Sequence, residues 1–208
     1  MSEQPPKSLT PLQQDRRNRI LQATRDQLAV QGYDGLNMRT LAVAADVSTA
    51  TLYNLYHGKD ALILAALADL LARLVDVGEV RGIERLVRQL DRQAAQIEAT
   101  PTYADAMSRM LFNANAEDDV VSVVMEGGMV NYLRCLNEMR DDGLLLPDVD
   151  LKELARDFNA ANWGCILLWL KGFIALRDFH SEYRRMVLMR VLASANPRRA
   201  KKIRDYLE

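Results

Sequence analysis

The sequence has almost none of the residues from which catalytic and metal centres are built. Its only histidines are His57 and His180 and its only cysteines Cys135 and Cys165, with no metal-ligand spacing among them. It also lacks a glycine-rich phosphate loop, a nucleophile motif and paired carboxylates beside a histidine, so neither an enzyme nor a metal or cofactor is expected. Cys135 and Cys165 are expected to be reduced core thiols rather than a redox switch. Net charge is −1, which gives no whole-chain attraction to nucleic acid; residues 1–60 carry seven Lys and Arg against six Asp and Glu, an almost neutral balance. The longest apolar run, GCILLWLKGFIAL at 164–176, is interrupted by Lys171 and is short for a bilayer. The opening MSEQPPKSLTPLQQ has an early acid and prolines where a secretory leader needs an apolar core. A cytoplasmic protein without a membrane partner is the expectation.

What is present is helical. The chain is 49% hydrophobic with nine Met, its Gly and Pro fall mostly between periodic segments, and strand-like alternation does not persist. The 208 residues suffice for one large or two modest domains. The pattern predicts an all-α chain: a flexible N-terminal arm over 1–12, a three-helix head over 13–60 and a helical body over 61–208.

In the head, a helix over Gln13–Gln31 places Ile20, Leu21, Thr24, Leu28 and Gln31 on one side and Arg16, Arg17, Arg19 and Arg25 mainly outside, until QGYDG breaks it. Asn37 is suited to cap a short helix over Met38–Ala45. Asp46 stands where the turn needs a left-handed residue, which Asp tolerates, and Ser48 can cap a third helix running to about His57. That third helix has a narrow inner stripe of Leu52 and Tyr56. Its broad outer face carries hydroxyls, an amide and aromatics instead of the Glu and Lys of a solubilising surface. Two short helices joined by a tight turn, the second with such a face, form the helix-turn-helix arrangement that enters the DNA major groove.

The run MRTLAVAADVSTATLYNLYHGKDAL resembles the DNA-binding head of the tetracycline-repressor (TetR) family through Leu41, Ala42, Ala45, Val47, Ser48, Thr51, Leu52, Tyr53, Tyr56, Lys59 and Leu62. It departs from that pattern at Asp46 and Ala50, which replace glycines, and at Leu55 and Tyr56, which replace Tyr and Phe. The resemblance implies a homodimer on a palindromic duplex operator. It also implies that Arg39 meets a phosphate or a base edge and that Lys59, at the start of the fourth helix, clamps a phosphate. Thr49, Thr51 and Asn54 are the expected base readers, since an amide can bridge adenine N6 and N7. Tyr53 is expected on a phosphate, Ala50 against a thymine methyl, and His57 outward beside them.

In the body, successive helices are expected over 61–78, 82–99, 102–115, 118–143, 149–176 and 181–195, with a short helix from Pro197. The resemblance implies that the last two long helices pair with a partner protomer, with Trp169, Phe173, Leu188 and Leu192 on offer. It further implies a small apolar or aromatic effector that shifts the linker helix and the separation of the two heads. Three apolar segments with polar interruptions are the expected pocket walls: Met107, Met110 and Leu111; Met125, Met129 and Tyr132 beside Glu126–Gly128; and Phe158, Asn159, Asn162, Trp163 and Ile166. Residue by residue, plain core packing competes with that assignment. The function expected is a DNA-binding regulator, a repressor released by its effector, against the alternative of a DNA-binding or architectural protein with no effector.

Overall fold

Thr10 and Gln13 start the first helix by a reciprocal capping box: the Thr10 hydroxyl accepts the Gln13 N–H and the Gln13 side chain accepts the Thr10 N–H. The computed structural model describes residues 9–113 and 119–207; the side chains of Val75, Met110, Asn113, Asp119, Val120 and Val123 lie outside that description. Most of the expected arm, residues 1–8, lies outside it as well, and α1 (Pro11–Gly35) already includes Pro11 and Leu12. Within α1 the backbone leaves helical geometry at Gly32, in the expected QGYDG break. α2 (Met38–Ala44), α3 (Thr49–Tyr56) and α4 (Lys59–Val75) follow. Packing divides the chain after Asp69, inside α4.

The first unit is organised around Ile20, Leu21 and Leu28 of α1, Leu41 of α2, Leu52 of α3 and Leu62 and Ile63 of α4, all fully buried. Two expectations for α1 are corrected. Gln31 is exposed, because it follows the last buried turn at Leu28 and lies beside Gly32. Arg25 points inward to an ion pair with Asp69 at 3.0 Å, each side chain only 11% exposed, so it braces α1 against α4 instead of facing solvent.

The second unit contains α5 (Gly82–Ala99), α6 (Pro101–Asn113), α7 (Asp119–Asp141), α8 (Leu151–Leu170), α9 (Leu176–Ala193) and α10 (Lys201–Arg204). Its core lies among α5, α7, α8 and α9, with Phe158, Phe179 and Tyr183 the largest fully buried side chains. The Tyr132 ring meets Phe158 edge-on at 5.5 Å, and its hydroxyl shares a 3.0 Å hydrogen bond with Tyr183, which donates to Gln93 at 2.7 Å. The two phenols are therefore satisfied although buried. Burial pushes Tyr132 up to about 12, and raises Tyr183 well above the usual phenol value. Burial likewise pushes Cys135 up to about 12 and Cys165 up to about 11, so both free thiols stay protonated at neutral pH.

The helix expected over 149–176 ends at Leu170, as α8. At its end Gly172 takes φ 77, its N–H bonds to Trp169 O, and Phe173 N–H bonds to Leu168 O at 2.9 Å. This pair of bonds is a Schellman ending, which needs a left-handed residue that the apolar periodicity around it conceals. α9 consequently starts at Leu176, ahead of the expected 181. Leu188, expected at a partner interface, is fully buried within the chain; Phe173 is 81% exposed.

One carboxylate joins α5 to α7. Glu138 accepts the Gly82 N–H at 2.6 Å and the Arg85 Nε–H at 3.0 Å on the same oxygen, while Arg134 approaches the other. Burial raises this carboxyl, but the Gly82 N–H, Arg85 and Arg134 outweigh it and hold Glu138 below the ordinary glutamate value. A depressed folded-state value stabilises the protein above the unfolded value, about 4.3, and that stability disappears as pH falls through the folded value. Glu138→Ala leaves the buried Arg85 without its partner and is expected to cost about 2–4 kcal/mol at pH 7 in denaturant unfolding. The gap between variant and wild type should narrow below about pH 4; a gap that stays constant with pH would contradict this account.

Candidate nucleic-acid interface

α3 has eight residues, too short to persist alone, so the structure around it must hold it. Asn37 opens α2 by accepting the N–H groups of Arg39 at 2.8 Å and Thr40 at 3.4 Å. At the end of α2, Asp46 takes φ 54, the Asp46 N–H bonds to Val43 O and the Val47 N–H to Ala42 O. The turn is thus closed by an Asp in left-handed geometry, as its sequence position suggested. The Asp46 carboxylate also meets Arg19 of α1 at 3.3 Å. Ser48 then caps α3, its hydroxyl accepting the Thr51 N–H at 3.0 Å and sharing a 2.7 Å bond with the Thr51 hydroxyl. His57, with φ 57, ends the helix.

Leu52 is the fully buried side chain of α3, and it orients the rest. Ala50, Tyr53, Asn54 and His57 are exposed; Thr49, Thr51 and Tyr56 are half-buried. The expected contact face therefore stands clear of the core. Within it, Thr51 is already engaged with Ser48, which leaves Asn54 as the exposed amide. Arg39 is exposed at the start of α2. Tyr56, expected in the core, is only partly buried, and burial raises its phenol above the ordinary value.

Lys59 has a support that sequence reasoning missed. Its ammonium lies 4.4 Å from the centre of the Tyr33 ring, and the Tyr33 hydroxyl donates to Asp60 at 2.7 Å. That hydrogen bond is the first cause of a raised Tyr33 phenol value, followed by burial. Tyr33 thus holds the first turn of α4 by ring and hydroxyl together. The available signal was the Tyr of the QGYDG break, whose spatial neighbour is distant in sequence.

The residues expected to line an effector pocket are distributed differently. Met107, Tyr132, Phe158 and Ile166 are buried in the second unit, and Leu111, Met125, Met129, Asn159, Asn162 and Trp163 are half-buried; the Met110 side chain lies outside the described residues. Asn159 donates to Met125 O at 3.3 Å and sits against Gly128, where a β-carbon would come within 2.5 Å of its oxygen. Its amide closes α7 on α8. Trp163 stacks edge-on with Phe112 at 5.7 Å. An open depression of about 450 Å³ occurs elsewhere, on α1 and α2 between Arg19, Asp26, Val30 and Ala44.

Among the described residues, no cluster of three His, Cys, Asp or Glu could hold a metal, and no helix is long and apolar enough to cross a membrane.

Residues 20–66 match the family model for bacterial regulatory proteins of the tetR family. The chain is 32% identical to the HTH-type transcriptional repressor KstR of Rhodococcus jostii (strain RHA1) over 122 residues, covering 55% of this chain and 58% of that one. With KstR of Mycolicibacterium smegmatis (strain ATCC 700084 / mc(2)155) it shares 31% identity over 168 residues, 76% of this chain and 78% of the relative. The fold is similar to that of TylP, a TetR regulator from Streptomyces fradiae, with a TM-score of 0.71 and 20% identity over 93% of this chain and 92% of that one. The capped turn between α2 and α3, the exposed face above Leu52 and a relative matched over most of both sequences lead to one conclusion: the chain belongs to the TetR family of bacterial regulatory proteins.

Proposed function

We propose that the protein is a DNA-binding transcriptional repressor that acts as a homodimer on a palindromic operator and releases it when a small apolar or aromatic molecule binds the helical body. The observation that carries this reading is the face of α3: Ala50, Tyr53 and Asn54 are exposed together on a helix anchored by Leu52 and capped by Ser48. Asn54 reads adenine through its amide, Tyr53 and Arg39 meet phosphates, and Ala50 admits close approach or touches a thymine methyl. Lys59, steadied by Tyr33, meets the backbone as a point charge. Two-fold symmetry of the protein then requires two half-sites about one helical turn, roughly 34–36 Å, or a multiple of it apart.

Support for the dimer comes from the apolar side chains left outside the core at the α8 and α9 end: Leu167 is 40%, Phe173 81% and Met189 49% exposed. Trp169 and Leu192 are half-buried beside the core and join that surface. For the effector, Trp163, Asn162 and Met129 are the half-buried groups best able to change partners, because Tyr132 and Phe158 are already packed and bonded. Such a ligand must prefer the DNA-free conformation, with a typical coupling of about 1–3 kcal/mol.

The test of the reading face is a titration of operator and random duplex with two variants. Asn54→Ala is expected to lose about 1–3 kcal/mol on the operator and to relax one base position, whereas Lys59→Ala weakens both duplexes alike. Equal losses on both for Asn54→Ala would remove it from the readers. Tyr33→Leu removes ring and hydroxyl and should reproduce part of the Lys59→Ala loss, and Tyr33→Phe, which keeps the ring, less of it. For the effector, small hydrophobic compounds that raise the unfolding temperature should also release operator, and Trp163→Ala should weaken their binding. Stabilising compounds that leave operator affinity unchanged would support the effector-free alternative.

A further inference from the structure

Most arginines in this chain are neutralised by a carboxylate of the chain itself. Arg17, Arg19, Arg25, Arg81, Arg85 and Arg88 pair in this way, and so do several others along α6 to α9. Among the described residues, cations without a carboxylate in reach gather in two places. One is the head, with Arg16, Arg39 and Lys59, where a phosphate backbone is already expected. The other is the segment RRAKKIR at 198–204, where Arg198, Lys201, Lys202 and Arg204 are all exposed and Arg199 donates to the Asp142 carbonyl. Elsewhere Arg92 and Arg140 donate to backbone carbonyls, and Lys152, Arg156 and Lys171 of α8 and its cap are exposed, the first two beside Asp150 and Glu153.

The segment is held firmly. Ile203 is fully buried and Ala200 is 5% exposed, both within the core of the second unit. The Arg198 N–H is bonded to the Asn196 side chain, and the Arg184 guanidinium donates to Tyr206 O. Five basic side chains in seven residues, four of them exposed and unpaired among the described residues, outnumber the one acid beside them, Asp205, and leave the segment strongly positive. An array fixed in this way matches an anion that also has fixed, repeated charges.

We propose that α10 and the turn before it form a second contact for the phosphate backbone of duplex DNA, additional to the helix-turn-helix and blind to sequence. A bilayer is the poorer fit, since a helix lying on lipid turns an apolar face outward, and here the apolar residues Ala200 and Ile203 face the core. Duplex DNA is chosen over other polyanions because the head brings the same molecule to this chain; the proposal rests on that reading. Lys and Arg contacts to phosphate release counterions, so each contributes a slope of about 0.9 to the dependence of log affinity on log salt.

The experiment compares the full chain with a variant carrying Arg198→Gln, Lys201→Gln, Lys202→Gln and Arg204→Gln, titrated onto a 150-bp random-sequence duplex at several salt concentrations. The variant is expected to show a slope shallower by about 2–3 units and, at 0.1 M salt, affinity lower by about 100-fold or more. Arg198→Lys with Arg204→Lys should keep the wild-type slope, and matched thermal unfolding of all three proteins establishes that the fold is retained. An unchanged slope in the glutamine variant overturns this proposal alone if the wild type binds the duplex and Arg39→Ala with Asn54→Ala weakens it. A wild type that ignores duplex DNA overturns the head reading and this one together. Loss of binding to phosphatidylglycerol vesicles or to duplex RNA, with DNA binding intact, overturns it in favour of those partners.

Discussion

The burial of Leu52 is the contact on which the external face of the head depends. An eight-residue helix cannot fold in isolation, and α3 has one fully buried side chain to bind it to its neighbours. With that side chain inward, helical pitch leaves Ala50, Tyr53 and Asn54 outward, and the Ser48 cap and the left-handed His57 set where the helix begins and ends. Removing the leucine would leave a cavity in the core of the first unit and take away the reference for the orientation of every group on the opposite side. The Arg25–Asp69 ion pair between α1 and α4, at 3.0 Å and mostly buried, makes the frame around it directional. Hydrophobic contact holds α3 in place, and ionic and hydrogen-bonded contacts fix its angle.

The body reaches order by other means. Its core includes hydrogen-bonded phenols and a hydrogen-bonded thiol: Tyr132 with Tyr183, Tyr183 with Gln93, and Cys135 with Gln89 at 3.4 Å. Buried polar groups of this kind narrow the arrangements open to α5, α7 and α9, because any slip would strand a hydroxyl in an apolar interior. Glu138 does the same at the periphery by tying the first residue of α5 to α7. Asn159 lies flat against Gly128, so α7 and α8 approach more closely there than side chains at both positions would allow. These groups fix register, while the aliphatic side chains supply most of the area removed from water.

Local rules made the head legible. Asn37, Asp46 and Ser48 act through bonds to residues at most five positions away, and the structure places all three as caps or turn residues where their chemistry suggested. What was not legible involved partners distant in sequence. Arg25 could not be assigned inward without Asp69, and Tyr33 could not be connected to Lys59 without the fold of α4 against α1. In the body, apolar residues continue across Gly172, so periodicity alone carried the first of two helices past the left-handed glycine that ends it. Methionines and aromatics at helical spacing suit a pocket wall and a core equally well, and the burial of Met107, Phe158 and Ile166 is compatible with both.

Both tryptophans lie on α8, Trp163 edge-on to Phe112 and Trp169 edge-on to Phe179 at 6.1 Å, while the head has none. Tryptophan emission, excited apart from that of the tyrosines, is therefore an optical channel that belongs to the body alone. Trp163 is half-buried and rests on α6, so its emission follows the environment between α6 and α8. Trp169 follows the join between α8 and α9. Events in the two units can thus be separated in time without attaching a dye, with a label on the DNA reporting the head and indole emission reporting the body.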